Sequence, residues 1–213
     1  MRLAVLVVCV LWTATAPAAA QEAPPRIGPI VIDLHGTFPR FPDEDPGLAA
    51  SRGLSVSELP GRGIGLQAGA HAYFFRWRAI TVGFGGEIVL ARAKETPPAA
   101  AVGLQAVSEE FRSLGSQLSF NFGSGKGWSY LSGGIGRSNW SIVPDKVPRL
   151  PVDDEVLKTI NYGGGARWFI RSHLAFSFDV RFYALNPGTP SAGNPASPRT
   201  TFLSIGAGIS VKP

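Results

Sequence analysis

Alternation of apolar and polar residues is the sequence feature that most constrains how this chain folds. In residues 173–185 one row of every second side chain is aliphatic or aromatic, whereas the other row holds an acid and a base. A period of two is that of a β-strand, whose successive side chains point to opposite faces. Eight segments of the 213-residue chain show this pattern, at 27–38, 62–75, 79–92, 109–123, 127–140, 156–170, 173–185 and 200–212. We therefore predict an all-β chain with eight strands.

The lengths of these segments and of the gaps between them indicate how the strands are arranged. Each segment has 12–15 residues, whereas ordinary strands have about five or six and a tilted strand crosses a bilayer in about nine to eleven. The gaps after the second, fourth and sixth segments are very short, at 76–78, 124–126 and 171–172. The other gaps are long and rich in proline, glycine and charge. This alternation of turns and loops predicts an eight-stranded antiparallel up-and-down transmembrane β-barrel.

The composition of the two rows indicates which one faces the barrel interior. The polar rows are mostly Gly, Ser, Gln and Asn rather than the Lys and Glu of a water-facing surface, which suits a crowded interior. They also hold charges of both signs, which are tolerated in an interior when they pair. We predict a lumen ion-pair network formed by Asp33, Glu87, Arg167, Asp179 and Arg181. The apolar rows, including Phe176, Phe178 and Val180, are then expected to face lipid.

The tryptophans after residue 20 lie near the ends of predicted strands. Three are in or beside the short turns, and the fourth is at the far end of the fifth segment. Because the indole ring is apolar and its N–H is polar, Trp favours the membrane–water interface. We therefore predict a membrane-interface girdle formed by Trp77, Trp128, Trp140 and Trp168.

The first twenty residues have the three parts of a secretory signal peptide. Arg2 supplies positive charge, an apolar run follows, and three alanines at 18–20 suit cleavage. The apolar run is too short for a membrane-spanning helix. The single cysteine, Cys9, falls within this segment, so the exported chain is expected to have no disulfide. We predict a signal peptide at 1–20, a short lead at 21–26 and one barrel domain at 27–213.

Residue types able to carry chemistry do not form a recognisable site in the sequence. His173 lies in a predicted turn, and His35 and His71 lie in polar rows without a serine and an acid placed for catalysis. The stretch GSGKG at 123–127 lacks the spacing and the following helix of a phosphate-binding loop. We therefore predict no enzyme activity, no catalytic residues, no metal site and no cofactor. The net charge of +5 comes from scattered Lys and Arg residues, which argues against a nucleic-acid partner.

Three stretches carry a resemblance to a known family: YLSGGIG at 130–136, NYGGGARWFI at 161–170 and HLAFSFDVRFY at 173–183. They resemble the last hairpins of the OmpA-like and OmpW-like outer-membrane β-barrels, and the similarity of pattern extends over residues 27–213. The resemblance implies an eight-stranded barrel in the outer membrane of a Gram-negative bacterium. Its expected partners there are outer-membrane lipid, lipopolysaccharide and the barrel assembly machinery, and we expect a monomer.

Function is expected to lie in the loops, because function belongs to sites rather than to folds. The charged residues of the long gaps are candidates to bind lipopolysaccharide phosphates, directly or through divalent cations. We predict a structural or surface-interaction role, with no wide pore because side chains just fill an eight-stranded barrel. The alternatives are a narrow channel or carrier for small or apolar solutes, a lipid A-modifying enzyme, and a secreted soluble barrel.

Overall fold

The computed structural model of the protein describes residues 27–97, 104–190 and 193–213. The predicted signal peptide at 1–20 and the lead at 21–26 lie outside the described residues. None of the helices in the described part of the chain is long and apolar enough to cross a membrane.

Eight long strands form one sheet that closes on itself. They are β1 (Ile30–Arg40), β2 (Gly63–Trp77), β3 (Ile80–Glu95), β4 (Val107–Ser124), β5 (Gly127–Pro144), β6 (Glu155–Phe169), β7 (Leu174–Leu185) and β8 (Thr200–Val211). Each strand pairs antiparallel with its neighbours in the chain, and β1 pairs with β8 to close the barrel. The predicted fold class, an all-β, eight-stranded antiparallel up-and-down barrel, is confirmed.

The two ends of the barrel differ as the gap lengths predict. At the short-turn end, the connections are 78–79, 125–126 and 170–173, and β1 begins and β8 ends there too. At the long-loop end, the connections are L1 (41–62), L2 (96–106), L3 (145–154) and L4 (186–199). The described parts of these loops contain two short 3₁₀ helices, at Val56–Glu58 in L1 and Pro151–Asp153 in L3.

The outer surface of the barrel is apolar and its interior is polar. On β7, Phe176 and Phe178 are 47% and 38% exposed, whereas Ser177 and Asp179 are 0% and 1% exposed. The same contrast recurs around the barrel, where the exposed apolar side chains include Ile32, Leu34, Leu66, Phe84, Leu114, Leu131, Ile160 and Ile209. This distribution is that of a transmembrane barrel and the reverse of a water-soluble one.

A β-bulge in β2 changes the phase of the alternation near the short-turn end. The pairing of β2 with β3 shifts between Tyr73 and Phe75, which leaves Phe74 as the extra residue. Phe74 and Phe75 are therefore both exposed although they are neighbours in the chain. The shift also turns Trp77 outward, whereas unbroken alternation would place it in the same row as the buried Gln67.

Two of the four tryptophans predicted for the girdle lie inside the barrel. Trp77 and Trp168 are on the outer surface near the short turns, but Trp128 and Trp140 are buried. The prediction is therefore wrong for Trp128 and Trp140. Both lie an even number of positions from the inward-facing Ser132 along β5, so their side chains point to the same face as Ser132. The face of a side chain is decided by this alternation and not by how near the residue is to a strand end.

L1 is the longest of the four loops and folds back over the long-loop end. It contains the helix α1 (Pro46–Ser51). The carboxylate of Asp45 caps this helix by accepting hydrogen bonds from the backbone N–H groups of Gly47 at 2.8 Å and Leu48 at 3.1 Å. The capped helix buries Leu48 and Ala49 against interior residues of the barrel.

Candidate functional site

Charged side chains fill the middle of the barrel. Arg167 on β6 is completely buried, and its Nε and Nη2 lie 2.8 and 2.7 Å from the two carboxylate oxygens of Asp33 on β1. Its Nη1 donates to Asn121 at 2.8 Å, and the Ser210 hydroxyl donates to Asp33 at 2.5 Å. This two-point geometry and the added hydrogen bonds offset the cost of removing both charges from water.

Arg181 on β7 links two further carboxylates. Its Nε and Nη2 donate to Asp179 at 3.1 and 2.9 Å, and Nε lies 3.0 Å from Oε2 of Glu87. Glu87 also accepts hydrogen bonds from Gln67 at 2.6 Å and from the Tyr183 hydroxyl at 2.9 Å. The structure thus brings the five residues of the predicted network together as two groups, one around each arginine.

Tyr130 on β5 joins the two groups. Its hydroxyl donates to Asp179 at 2.7 Å, while the guanidinium carbon of Arg167 lies 4.0 Å from the centre of its ring. The neighbouring residue on β6 is Gly165, where a Cβ atom would lie 2.7 Å from the Tyr130 hydroxyl oxygen, so the close approach requires glycine. We call the following residues the charge network: Asp33, Glu87, Tyr130, Arg167, Asp179 and Arg181.

Two histidines border the charge network. His35 Nε2 lies 2.8 Å from Ser177 Oγ across the barrel, and both side chains are buried. His35 Nδ1 has no hydrogen-bond partner among the described residues, so this pair lacks the acid that orients the histidine of a catalytic triad. His71 hydrogen-bonds to Gln117 at 3.0 Å, and its Nδ1 lies 3.9 Å from a carboxylate oxygen of Asp33.

An apolar cluster closes the interior toward the long-loop end. We call this cluster the outer plug; it consists of Phe41, Leu48, Ala49, Leu59, Val89, Ala91, Ala93, Val107, Phe111, Trp140, Ile142, Leu157, Tyr183, Leu185 and Phe202. The ring of Phe202 is central, with its centre 4.9 Å from the rings of Phe41 and Phe111. Aromatic rings packed at these distances exclude water from the space that they fill.

Polar contacts tie L1 to the barrel above the outer plug. Arg52, which follows α1, forms an ion pair with Glu155 at 2.5 Å and lies 5.6 Å from the centre of the Trp140 ring. Trp140 in turn donates its indole N–H to Glu109 at 2.6 Å. Glu109 is 1% exposed, and its second oxygen has no hydrogen-bond partner among the described residues. L1 therefore acts as a lid that is held by β4, β5 and β6.

A second apolar cluster closes the interior at the short-turn end. We call this cluster the basal plug; it consists of Ile27, Val31, Tyr73, Trp128, Phe169 and Ala175. The indole N–H of Trp128 donates to the carbonyl oxygen of Gly125 in the turn below it, at 3.2 Å. The interior therefore has three layers: the outer plug, the charge network and the basal plug.

Several loop charges predicted to contact lipopolysaccharide are paired within the protein. Arg149 forms ion pairs with Glu110 at 2.7 Å and with Asp154. These two carboxylates raise the pKa of Arg149 above its ordinary value. Lys94 pairs with Asp145 and, as the main cause, holds the pKa of that carboxyl below its ordinary value.

The long-loop end also holds an open cleft. It has a volume of about 1030 Å³ and lies between L3, L4 and the end of α1. Its walls include Arg52, Glu155 and Lys158, of which the first two neutralise each other. His173 is exposed in a turn at the other end of the barrel. In the ranges that the structure describes, no group of three or more His, Cys, Asp or Glu side chains is arranged to hold a metal ion.

Sequence reasoning found the charges of the interior but missed their uncharged partners. Tyr130, Asn121 and Ser177 all make hydrogen bonds to the charged or histidine side chains. Their inward phase was readable from the alternation of β5, β4 and β7. Each contact between an uncharged side chain and a charged or histidine side chain depends on how strands that are distant in the chain are positioned relative to each other. His35 on β1 and Ser177 on β7 are an example. A single sequence does not give these relative positions.

Known proteins with this architecture include small bacterial barrels. No protein-family model matches the chain, and no curated protein sequence matches it significantly. Among solved structures, Neisserial surface protein A (NspA) aligns over 87% of this chain and 97% of its own, with a TM-score of 0.53 and 12% identity. The N-terminal β-barrel domain of Pseudomonas aeruginosa OprF aligns over 86% of this chain and 98% of its own, with a TM-score of 0.40 and 12% identity.

NspA is a small eight-stranded outer-membrane β-barrel of the OmpA-like kind. At 12% identity the likeness to NspA concerns the fold alone. The closed up-and-down topology and the apolar outer surface agree with that likeness. The chain therefore has the fold of the small OmpA-like outer-membrane β-barrels, which its sequence pattern resembles.

Proposed function

We propose that this protein is an integral outer-membrane β-barrel with a structural or surface-interaction role, and that it is neither an enzyme nor an open pore. In this proposal it lies in the outer membrane of a Gram-negative bacterium, with the long-loop end at the cell surface and the short-turn end in the periplasm. It reaches the membrane through its signal peptide and the assembly machinery and works there as a monomer. Any binding specificity belongs to L1–L4.

The three-layer filling of the interior is the observation that carries this proposal. Conduction requires a continuous wet path, and the outer and basal plugs are apolar layers at both ends of the barrel. Between them the arginines of the charge network are held by several hydrogen bonds each, so moving one would leave a carboxylate buried without its partner. Such an interior favours a scaffold over a transport path.

Membrane fractionation, heat-modifiable gel migration and single-channel recording together test this proposal. We expect the protein to sediment with outer membranes, to migrate differently before and after boiling, and to give no unitary conductance in planar bilayers. Recovery in the soluble fraction would contradict the membrane location. A reproducible conductance of the unmodified protein would contradict the closed interior.

A gated narrow channel is the second candidate, and the position of L1 is the observation that favours it. L1 lies over the outer plug and contributes residues to it, and a loop held by a few side-chain contacts opens more readily than the strands do. Replacing residues 44–58 by a short Gly/Ser linker separates the two functions. We expect the variant to stay silent because the charge network and the basal plug remain. Conductance that appears only in this variant would favour the gated channel.

A lipid A-modifying enzyme is the third alternative, and the buried His35–Ser177 pair is the feature nearest to catalytic chemistry. Both side chains are fully enclosed in the barrel, whereas a nucleophile has to reach its substrate. Expression of the protein in a Gram-negative host should leave the mass spectrum of lipid A unchanged. A new lipid A species that disappears in a Ser177→Ala variant would contradict our proposal.

A further inference from the structure

We infer that the outer wall of β2–β6 docks the phosphorylated, multiply acylated glycolipid of the outer leaflet, an inference that rests on the proposed membrane location. Besides Lys94, which is paired with Asp145, five cationic side chains are exposed near the long-loop end of these strands. We call them the basic face; they are Arg62, Arg92, Arg112, Arg137 and Lys158. They point sideways from the barrel wall rather than upward from the loops, because they occupy outward-facing strand positions or, for Arg62, the position just before β2.

Strand pairing places these cations on one continuous surface. Arg137 on β5 is paired with Lys158 on β6. Arg92 on β3 pairs with Glu110 of β4, two residues from Arg112 on the same outward row. Neighbouring strands lie about 4.8 Å apart, so four cations on β3–β6 extend over three strand spacings, roughly 14 Å. That width suits a headgroup with more than one phosphate better than a single phosphate.

Most of the basic face lacks an acidic partner within the protein. In residues 27–97, 104–190 and 193–213, the ion pairs include none with Arg62, Arg92, Arg137 or Lys158. Arg112 shares the carboxylate of Glu110 with Arg149. Of the cations in the described parts of the loops, Arg52 and Arg149 are paired, whereas Lys146 and Arg199 form no ion pair. Four cations available to an anion therefore lie together on the barrel wall, at the level where lipid headgroups lie.

A groove on the same wall offers space for acyl chains. It has a volume of about 520 Å³ and is lined by Ile64, Gly65, Leu66, Leu90, Ala91, Arg92, Glu110 and Arg112. Below the cations the wall is apolar, with Leu66 59% and Leu90 48% exposed. A second groove of about 460 Å³ adjoins it and shares Ile64, Arg92 and Glu110. A basic upper edge above an apolar lower part matches an amphiphile that carries an anionic headgroup and several acyl chains.

The basic face is confined to part of the circumference. Arg40, at the end of β1, is exposed beside Arg62, so the cations continue onto that strand. Near the long-loop end of β7 and β8, however, the outward-facing residues are uncharged; they are Phe182, Ala184, Thr201 and Leu203. A cationic belt that served only to position the barrel in the bilayer would be expected all round it. A one-sided patch with grooves is instead what a bound lipid in a fixed place requires.

The test compares two variants with the same loss of charge. R92Q/R137Q/K158Q removes three cations of the basic face, whereas the control R78Q/K126Q/R171Q removes three exposed cations at the short-turn end. The full-length exported chain, refolded in detergent, is titrated with purified lipid A bearing its phosphates, and bound lipid is counted by native mass spectrometry. Dephosphorylated lipid A and phosphatidylglycerol are titrated in parallel, and heat-modifiable migration is recorded for every variant.

We expect the basic-face variant to lose affinity for phosphorylated lipid A by about tenfold, since an exposed charge contact is individually weak and the variant lacks three of them. The control should bind as the unmodified protein does, and dephosphorylated lipid A should bind weakly to both. Equal affinities of the two variants, or phosphatidylglycerol binding as tightly as lipid A, would overturn the docking site. A protein that shows no heat-modifiable migration would instead overturn the proposed membrane barrel itself, so the two failures are distinguishable.

Discussion

At the scale of single residues, Arg167 shows how a charge is accommodated inside this barrel. Its guanidinium is fully enclosed, yet it meets both oxygens of Asp33, the side-chain oxygen of Asn121 and the face of Tyr130. Removing an ion pair from water is costly, and only partners of this number and geometry offset that cost. A substitution that removes one partner of Arg167 therefore lowers the stability of the barrel by more than the lost contact area alone would.

An Arg167→Gln substitution should destabilise the folded barrel by about 3–5 kcal/mol, because it leaves the carboxylate of Asp33 buried without its partner. The free energy of unfolding in urea, measured on protein refolded into lipid vesicles, gives this value. Arg137→Gln on the outer surface is the matched control and should change stability by less than about 0.5 kcal/mol. The double variant D33N/R167Q should recover part of the loss, and equal effects of the two single arginine substitutions would contradict the role of the pair.

Individual residues also show where the sequence was sufficient and where it was not. Alternation placed Asp179 and Arg181 in one row, and the composition of the polar rows, with few Lys and Glu and with charges of both signs, assigned that row to the interior. Trp128 and Trp140 were misassigned, because their nearness to strand ends was given more weight than their phase. The position of Trp77 depends on the bulge at Phe74, which the sequence does not mark with a glycine or a proline.

At the scale of structural elements, the lid formed by L1 depends on how α1 packs into the outer plug. The side chain of Leu48 in α1 is fully buried, and just after the helix Arg52 forms an ion pair with Glu155 of β6. The barrel strands are held by continuous ladders of backbone hydrogen bonds, whereas L1 relies on these few side-chain contacts. L1 is therefore expected to open at a lower free energy than the barrel unfolds.

A Leu48→Ala substitution should loosen the lid without unfolding the barrel. Truncating a buried leucine costs about 2–5 kcal/mol, and most of that loss should fall on the opening of L1. Hydrogen exchange of the amides of α1 should therefore become faster, while exchange in β6 and β7 stays unchanged. Val56→Ala, a truncation of a partly exposed side chain in the same loop, is the control. Uniform acceleration across the strands would show that the lid and the barrel are a single cooperative unit.

The contact of L3 with β3 should respond to acid in a defined direction. Lys94, and after it Ser108, hold the pKa of Asp145 below its ordinary value of 3.8. The contact is therefore fully present above that ordinary value and is lost as the pH falls through the lowered pKa. Hydrogen exchange of L3, corrected for its intrinsic pH dependence, should be constant between about pH 5 and 8 and should increase only in stronger acid. Asp145→Asn should abolish this acid response, and a transition near neutral pH would contradict the assignment.

At the scale of the whole molecule, one reversal accounts for the architecture: apolar side chains face outward and polar side chains face inward. The number of strands, their order and the two kinds of connection all followed from segment length and alternation. The three layers of the interior did not, because the outer plug combines residues from six strands with L1 and the basal plug combines residues from five strands, all far apart in the chain. The path of L1 over the barrel could not be predicted from the sequence either, because the packing of a loop depends on the surface that the folded strands present.

The most direct test of this reversal is the lipid contact of neighbouring positions on β7. The exported chain is expected to lack cysteine, because Cys9 lies in the predicted signal peptide, so single cysteines introduced at 175–178, 180 and 183 are the only labelling sites. Each is given a fluorophore and measured in vesicles with nitroxide-bearing lipid. We predict strong quenching at positions 176, 178 and 180 and weak quenching at 175, 177 and 183. The opposite alternation, or equal quenching at all six positions, would contradict a barrel that exposes its hydrocarbon to lipid and encloses its charges.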